Sequence, residues 1–357
     1  MVGKIKFNIK NHKFHASSKP FIIAEIGSNH NGSLKLAKKL ILLAKKNGAD
    51  CVKFQSWDEN SLFSKKNYKQ NYFLKDDYRN RKDESLFSIV KKYSLKKKQA
   101  KILNDFSKKN GIIFNSTPFS YSECDFLVKV LKVPFIKVAS MDLNNYPLIQ
   151  HFAKYKLPIF LSTGMGSLNE IKKAIEVIKK TGNNKIVVLH CVSIYPTPIN
   201  KINLSRISTL NKKFKNYTVG FSDHSLGFHH SITAINLGAK VIEKHFTIDQ
   251  SMKGWDHKVS ILPEDLRNIA EYGKNYNKSL GKKDIIQVER NNIKVAFRRS
   301  IVANLNIEKG KILKREYLTF KRPGDGLEPK ILNKLIGKRI NRKIYQDEQL
   351  SFKDLEK

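Results

Sequence analysis

The chain reads Phe21-Ile22-Ile23-Ala24-Glu25-Ile26, an apolar run with a single carboxylate, and Gly27 follows. Such a run is typical of a strand that is buried on both faces of a parallel sheet. Apolar residues at helical spacing then predict a helix from about Leu34 to Lys46, and a second strand is predicted over 51–54. This stretch therefore predicts a β–α–β unit, in which two parallel strands are joined through a helix.

The same alternation continues along the chain. Further strands are predicted over 112–114, 135–138, 158–161, 186–189, 218–221 and 241–243. Helical patterns lie between them; one of these, Leu168–Lys180, has Ser167 and Glu170 placed to form a capping box. Eight β–α units over about 260 residues predict a TIM (β/α)8 barrel. A doubly wound open sheet is the alternative, but no GxGxxG motif follows the first strand, so a dinucleotide-binding version has little support.

The pattern changes after the predicted barrel. Residues 284–296 are polar and linker-like, and from Arg298 onward short β segments are predicted over 300–303, 307–312 and 317–320. The turn-forming stretch 321–326 follows. We therefore predict a barrel domain over 1–283, a linker over 284–296 and a small β-rich domain over 297–357. Residues 56–94 are long, charged and weakly patterned, which indicates an inserted loop region rather than core.

The composition is strongly basic, with 68 Lys+Arg against 31 Asp+Glu and a formal net charge of +37. A charge of this size could indicate nucleic-acid binding. Lys, however, greatly outnumbers Arg and is spread along the chain instead of forming one stripe, whereas Arg is the residue of bidentate phosphate and base recognition. We interpret the chain as an enzyme with a basic surface and expect no nucleic-acid partner. Its positive field would attract anionic substrates.

Cysteine and hydrophobicity patterns bear on the location. Cys51, Cys124 and Cys191 can form neither a disulfide framework nor a zinc ribbon, which favours a reducing compartment. No apolar run approaches the roughly 18 residues of a membrane span, and the N-terminus lacks the apolar region of a signal peptide. We expect a cytoplasmic protein without a membrane partner.

Polar residues interrupt the apolar runs at the C-terminal ends of the predicted strands, and in a barrel these ends face the active site. In chain order the ends carry Glu25, Lys53 and Gln55, Asn115 to Thr117, Lys137 to Asp142, Ser162 to Gly164, His190 to Tyr195, Ser222 to His224, and Glu243 to His245. Any one of them could have a capping or hydrogen-bonding role, but eight in register predict one catalytic mouth.

Two lysines, Lys53 and Lys137, lie within predicted strands, where a charge must be paired or face a ligand. Together they could bind a phosphate or a carboxylate. The alternative is a buried salt bridge to Glu25 or Glu243.

Two histidines, His224 and His245, follow strands that are neighbours in a barrel. Converging imidazoles could bind a divalent metal and leave coordination positions open for water and substrate. A single histidine is more often a core residue, so the metal interpretation depends on the two lying together.

Five motifs resemble the sialic acid (nonulosonate) synthase family. They are Ala24–Gly32, Val52–Gln55, His190–Pro198, Gly220–Ser225 and Glu243–Thr247. The stretch from Arg298 to Gly326 resembles the antifreeze-like (SAF) domain of that family. The resemblance runs from about residue 20 to 355 and implies a TIM barrel followed by a SAF domain, in a domain-swapped homodimer.

The resemblance also implies an activity. Phosphoenolpyruvate (PEP) would condense with an open-chain N-acetylated amino sugar of the N-acetylmannosamine type, giving a nine-carbon 2-keto acid of the N-acetylneuraminate type and phosphate. A divalent metal, commonly Mn²⁺ with Mg²⁺ or Co²⁺ as alternatives, would be held by His224 and His245. A 2,4-diacetamido-trideoxy hexose, leading to legionaminate or pseudaminate, remains open as the sugar.

Individual roles follow from the same resemblance. It places PEP against Lys53, Thr117, Lys137, Ser140 and Ser222, and the sugar near Glu25, Gln55, Tyr195 and Asp256. Arg322 of the SAF domain would reach the sugar in the partner subunit. Ser193 stands where the family often has Asn, and Asp142 keeps an acid of shorter reach than Glu; both are expected in the substrate region.

We expect Glu25, Lys53, Lys137 and Asp142 to be the catalytic residues. Trp255 either stacks on the substrate or packs at the barrel mouth, and packing is favoured. Two other readings are a nucleic-acid-binding protein on a barrel scaffold and a SAF-domain interaction protein with an inactive barrel. The lysines and the histidine pair argue against both.

Overall fold

The computed structural model describes residues 6–15, 17–70, 84–281 and 284–356. They form two compact units, Met1–Gly281 and Lys282–Lys357. Within the described ranges, no helix combines the length and the apolar character that crossing a membrane requires.

Eight parallel strands form the core of the first unit. A short hairpin, β1 (Phe7–Ile9) and β2 (His12–Phe14), precedes them. The eight strands are β3 (Phe21–Gly27), β4 (Cys51–Ser56), β5 (Ile113–Pro118), β6 (Ile136–Val138), β7 (Ile159–Ser162), β8 (Ile186–Cys191), β9 (Thr218–Asp223) and β10 (Val241–His245). The order in the sheet is β5-β4-β3-β10-β9-β8-β7-β6, so the first and last strands of the barrel pair with each other. Where the sheet ends meet, Asn115 Nδ2 donates to the carbonyl of Phe135 at 2.9 Å. The nearly closed barrel confirms the predicted fold.

All eight predicted strands are present, and several run further than predicted. β5, β9 and β10 continue through Thr117, Asp223 and His245. The sequence patterns end these strands too early because the last residues are polar, although they remain buried in the barrel.

Helices pack around the barrel between the strands. Among the described residues of the first unit these are α1 (Leu34–Lys46), α2 (Lys65–Gln70), α3 (Leu86–Tyr93), α4 (Lys97–Lys109), α5 (Tyr121–Asp125), α6 (Tyr146–Lys154), α7 (Leu168–Lys180), α8 (Ser205–Lys213), α9 (His229–Asn236) and α10 (Pro263–Ser279). Two further helices, α11 (Asn291–Phe297) and α12 (Leu332–Leu335), belong to the second unit. The capping box that the sequence predicts for α7 is present: Ser167 N donates to Glu170 Oε2 at 2.8 Å, and Glu170 N donates to Ser167 Oγ at 3.3 Å.

The N-terminal hairpin was not predicted. β1 and β2 pair antiparallel and contribute apolar side chains to a cluster at the N-terminal ends of the barrel strands. The ring of Phe14 lies 5.7 Å from Phe21 and 6.2 Å from Phe160, and Phe160 stacks on Phe135 at 4.2 Å between ring centroids. These aromatic rings fill this end of the barrel.

The segment predicted as an inserted loop region, residues 56–94, differs from its prediction because part of it forms a small core of its own. Trp57 and the apolar face of α3 form a small hydrophobic cluster, and Trp57 Nε1 donates to the Val90 carbonyl at 3.2 Å. The pattern was missed because α3 is only eight residues long. The predicted loop also covers 71–83, which lie outside the described residues.

The second unit has its own apolar core, with β11 (Ser300–Ala303) antiparallel to β12 (Leu318–Lys321). The strand predicted over 307–312 is wrong as a continuous element, because only isolated bridges form at Ile307 and Ile312. The stretch predicted as a linker contains most of α11. Gly324 N donates a hydrogen bond to the carbonyl of Val295 in that helix at 2.7 Å. The proposed domain limits remain predictions.

We predict that Phe14→Ala lowers the free energy of unfolding by about 3 kcal/mol, because a buried ring in the aromatic cluster is replaced by a cavity. Urea unfolding followed by circular dichroism measures this loss. Phe87→Ala is the matched control, since Phe87 is 42% exposed and should cost less than about 1 kcal/mol. Equal losses in the two variants would contradict a packed N-terminal end.

Candidate active site

A cavity opens at the C-terminal ends of the barrel strands. Twelve of the predicted site residues line it: Glu25, Lys53, Gln55, Thr117, Lys137, Ser140, Ser193, Tyr195, Ser222, His224, His245 and Asp256. Ser162, Cys191 and Glu243, which lie at strand ends that the sequence marks as polar, also line it. An apolar wall is formed by Trp57, Leu62, Phe63, Leu86, Phe119 and Trp255, of which the sequence pointed to Trp255. The alternation of side chains along each strand explains the set, because every second residue faces the barrel interior.

Two lysines and two glutamates share the interior beneath the cavity. Lys53 Nζ lies 2.5 Å from Glu25 Oε2 and 3.7 Å from Glu243 Oε2, while Lys137 Nζ lies 3.4 Å from Glu243 Oε1. Lys53 also donates to Thr117 Oγ1 at 2.7 Å. The alternative of buried salt bridges is therefore what the structure shows. Because both lysines also line the cavity, the pairing does not keep them from a ligand.

The two carboxylates have opposite proton affinities. Burial, reinforced by Glu243, raises the pKa of Glu25 to about 7 against the pull of Lys53. Burial acts in the same direction on Glu243, but Lys137, Lys53 and the Ser222 hydroxyl outweigh it and lower the pKa of Glu243 to about 2. Near neutral pH, Glu25 can therefore exchange a proton while Glu243 keeps its charge.

The two predicted metal ligands lie together. The ring centroids of His224 and His245 are 5.5 Å apart, and Tyr195 lies 4.1 Å from the His224 ring. His224 Nδ1 is 2.8 Å from the Val192 carbonyl, an arrangement that directs Nε2 of a neutral ring toward a ligand. His245 Nδ1 is buried and has no hydrogen-bond partner among the residues that the structure describes.

The donor set bears on the metal that the family resemblance implies. Two buried imidazoles at one mouth, one of them oriented by a carbonyl, suit a divalent first-row metal. The described ranges contain no cluster of three or more His, Cys, Asp or Glu side chains that could hold an ion. The residues therefore fit a site in which two protein ligands leave the remaining positions to water and substrate.

A compact loop follows β7 and faces Ser140. Gly164 N donates to Ser140 Oγ at 3.1 Å. A Cβ at Gly164 would lie 2.6 Å from Ser140 Oγ and would also collide with Ser193 Oγ. The sequence shows a glycine at this strand end, but it gives no sign that the lack of a side chain lets both serine hydroxyls approach the loop.

Three of the four residues expected near the sugar, Glu25, Gln55 and Asp256, converge around Gly27. Gln55 Nε2 donates to Glu25 Oε1 at 3.1 Å, and Ser28 Oγ donates to Asp256 Oδ2 at 2.8 Å. A Cβ at Gly27, whose φ is +51°, would lie 3.3 Å from both carboxylates. This glycine permits the sharp backbone turn and keeps the space between the polar groups open.

Asp142 and Arg322 are not brought into the cavity lining. Asp142 ends a 3₁₀ turn whose first two residues, Ser140 and Met141, do line the cavity. Its Oδ1 accepts from Asn145 Nδ2 at 3.3 Å, while its Oδ2 is buried without a hydrogen-bond partner among the described residues. Its catalytic role stays a prediction. Arg322 belongs to the second unit, where its guanidinium lies 4.8 Å from the Phe297 ring centroid.

Trp255 packs at the barrel mouth, which is the alternative that the sequence analysis favours. Its ring meets Trp57 edge to face at 5.9 Å between centroids, and both rings belong to the apolar wall. The insertion thus contributes directly to the cavity, which its weak sequence pattern did not indicate.

Comparison with known proteins gives consistent matches. Residues 40–285 match the model of the NeuB family, and residues 298–356 match that of the SAF domain. The N,N'-diacetyllegionaminic acid synthase of Campylobacter jejuni is 41% identical over 336 residues, which are 93% of this chain and 98% of that protein. Human N-acetylneuraminate-9-phosphate synthase is 33% identical over 335 residues, covering 92% and 91% respectively.

The chain also resembles a solved structure. The N-acetylneuraminic acid (sialic acid) synthetase of Leptospira borgpetersenii, solved in complex with citrate, has a TM-score of 0.70 and 32% identity, covering 80% of this chain and 93% of that one.

We predict that sulfate binds the lysine-lined cavity severalfold more tightly at pH 6 than at pH 8. Sulfate is a dianion throughout this range, so the change reports on the protein. As the pH falls through the pKa of Glu25, about 7, the carboxylate next to Lys53 loses its negative charge and repels the anion less. Isothermal titration calorimetry measures the affinities. Glu25→Gln should clearly reduce the pH dependence; the part that remains would come from Cys191, whose pKa His224 lowers to about 7, and from His224, whose pKa is raised. An unchanged pH dependence in that variant would assign the whole effect to these two groups.

Proposed function

Since the chain belongs to the NeuB family and carries a SAF domain, we propose that it condenses phosphoenolpyruvate with an open-chain N-acetylated amino sugar and water. The products would be a nine-carbon 2-keto sugar acid and phosphate. The observation that carries this proposal is the meeting, in one cavity, of two buried lysines with a buried histidine pair. The two lysines suit an anion with two acidic ends, such as PEP. The two histidines suit a metal ion that would hold an aldehyde.

The cationic end of the cavity accounts for PEP. Lys53 and Lys137 would neutralise its phosphate and carboxylate, while the hydroxyls of Thr117, Ser140 and Ser222 supply neutral donors. In the reaction, C3 of PEP bonds to the aldehyde carbon, water adds at C2, and the resulting tetrahedral species loses phosphate by C–O cleavage. Fixed positive charge is most useful in the last two steps, in which charge on the phosphate ester shifts.

Glu25 is the group suited to handle a proton. Its pKa of about 7 allows it to accept a proton from the attacking water at neutral pH and to release it later. Gln55 holds the other carboxylate oxygen in place. The proton balance closes because one proton of the water ends on the aldehyde oxygen, which becomes the sugar hydroxyl. The other leaves the C2 hydroxyl as the keto group forms and departs with the phosphate.

His224 and His245 would hold the divalent metal, for which Mn²⁺ is proposed and Mg²⁺ or Co²⁺ are alternatives. When bound, such an ion acts as a Lewis acid on a carbonyl oxygen. The apolar wall and Asp256 would orient the remainder of the sugar around it.

The second candidate sugar is a 2,4-diacetamido-trideoxy hexose. The observation in its favour is the apolar wall of Trp57, Phe63, Phe119 and Trp255 with its neighbours. A second acetamido methyl and a deoxygenated C6 would bury apolar surface there, whereas N-acetylmannosamine would place hydroxyls against it. The legionaminic acid synthase relative supports this alternative.

We predict that the protein releases phosphate from PEP in the presence of Mn²⁺ and an accepted sugar. N-acetylmannosamine and a 2,4-diacetamido-trideoxy hexose are offered in parallel, and the sugar that supports release assigns the product class. Lys53→Met should reduce the rate at least about a hundredfold because a preorganised cation is lost. Lys212→Met, on the surface of α8, is the matched control. No release with these or other amino sugars would overturn the proposal.

We also propose a domain-swapped homodimer in which Arg322 reaches the sugar in the partner subunit. In support, the first part of the second unit exposes apolar side chains within one chain: Ile285 is fully exposed, and Val288 and Phe297 are 84% and 62% exposed. Apolar residues concentrated in one exposed segment mark an interaction surface. The expectations of a cytoplasmic location and of no nucleic-acid partner remain predictions.

Mixing two inactive variants tests the shared site. Arg322→Ala and His245→Ala subunits, unfolded and refolded together, should regain up to about one quarter of the wild-type activity. Half of the dimers would be mixed, and each mixed dimer would have one intact site. Each variant refolded alone serves as the control. Failure of the mixture to exceed its parents, with mixed dimers demonstrated by tagged pull-down, would place Arg322 outside the partner's site.

A further inference from the structure

Behind the two histidines lies an ion pair that the proposed mechanism does not use. Asp223 and Lys244 are register partners on β9 and β10, one residue before His224 and His245 respectively. Their side chains are fully buried, and Lys244 Nζ lies 2.9 Å from Asp223 Oδ2. On β10 the cavity is lined by the residues on either side of Lys244, namely Glu243 and His245. Because side chains alternate along a strand, the ion pair faces away from the cavity.

The hydrogen bonds of this pair are numerous and directed. Asp223 Oδ1 accepts from Ser225 N at 2.8 Å and from Ser225 Oγ at 2.6 Å. Asp223 Oδ2 also accepts from Ser231 Oγ on α9 at 2.7 Å. Lys244 Nζ donates in turn to the Ser225 carbonyl. Both ions are therefore attached to Ser225, the residue that follows His224.

We infer that the Asp223–Lys244 pair positions the two histidines relative to each other. His224 lies between Asp223 and Ser225, and both of these are bonded to Lys244, which directly precedes His245. The backbone at one histidine is thus fixed to the backbone at the other across two strands. This inference rests on the proposed function, in which the histidines hold one divalent ion.

The chemistry of the pair favours this role over simple filling of space. Burying two ions costs several kcal/mol for each, and apolar residues of similar volume commonly stabilise a protein equally well. Apolar residues cannot, however, bond to the amide, the hydroxyl and the carbonyl of Ser225 together. Groups that orient metal ligands from behind typically change metal affinity by about 10- to 100-fold when they are replaced.

Mn²⁺ binding to the metal-free protein tests the inference without recourse to activity. The electron paramagnetic resonance signal of free Mn²⁺ is followed during titration of wild type, Asp223→Asn, Lys244→Met and the double variant. Each single variant leaves one buried ion without its partner and is expected to lose stability. The double variant removes both charges. We expect its Kd for Mn²⁺ to rise about 10- to 100-fold while its circular dichroism spectrum stays that of wild type.

Asn183→Ala is the matched control for lost stability. Asn183 is buried just before β8, where its Nδ2 donates to the Leu157 carbonyl at 2.7 Å, at the opposite end of the barrel strands from the histidines. This variant should melt at a lower temperature and bind Mn²⁺ as wild type does. His245→Ala should lose the Mn²⁺ site.

The outcomes separate the inference from the proposed function. If the double variant is folded and binds Mn²⁺ as tightly as wild type, the positioning role is wrong and the metal site stands. If the Asn183→Ala control weakens binding as much as the double variant does, general loss of stability explains the effect and the positioning role is again wrong. If wild type takes up no Mn²⁺, or binds it no better than His245→Ala, the metal site is wrong and the positioning role falls with it.

Discussion

Two lysines and two glutamates neutralise one another inside the barrel, and the candidate site depends on that balance. Lys53, Lys137, Glu25 and Glu243 are almost completely buried, and an unpaired ion at such a place would cost several kcal/mol. Four of the parallel strands supply the pairing, because β3, β4, β6 and β10 each place one of these charged residues near the C-terminal end. Lys53 pairs with Glu25 on the neighbouring strand, whereas Lys137 reaches Glu243 across the barrel interior. The same arrangement that makes these charges tolerable in the free protein leaves them facing a cavity.

The balance is uneven in a way that suits an anionic ligand. Glu243 stays charged and interacts with both lysines, whereas Glu25 titrates near neutral pH. Protonation of one carboxyl is therefore enough to leave the site with a net positive charge. The net charge of the cavity can thus adjust to a bound anion through protonation of Glu25, without movement of the backbone.

The sequence predicts most of this arrangement because the barrel obeys a simple periodicity. Apolar runs identify the eight strands, and polar residues at their ends identify most of the cavity lining. The errors occur where three-dimensional packing, and not the periodicity of the sequence, determines the local structure. The N-terminal hairpin is three residues per strand, and α3 shows its apolar face only when Trp57 packs on it. The role of Asp142 stays a prediction, because it follows two lining residues but does not itself line the cavity.

The aromatic cluster at the N-terminal end of the barrel has a consequence for the traffic of small molecules. With Phe14, Phe135 and Phe160 filling that end, a reactant held by the lysines arrives and departs through the wide end of the barrel. A second reactant bound against the apolar wall would occupy the same opening, at the C-terminal ends of the strands, and would block the first. In the proposed reaction, a cavity open at one end would impose a compulsory order, in which the reactant bound deeper enters first and its product leaves last.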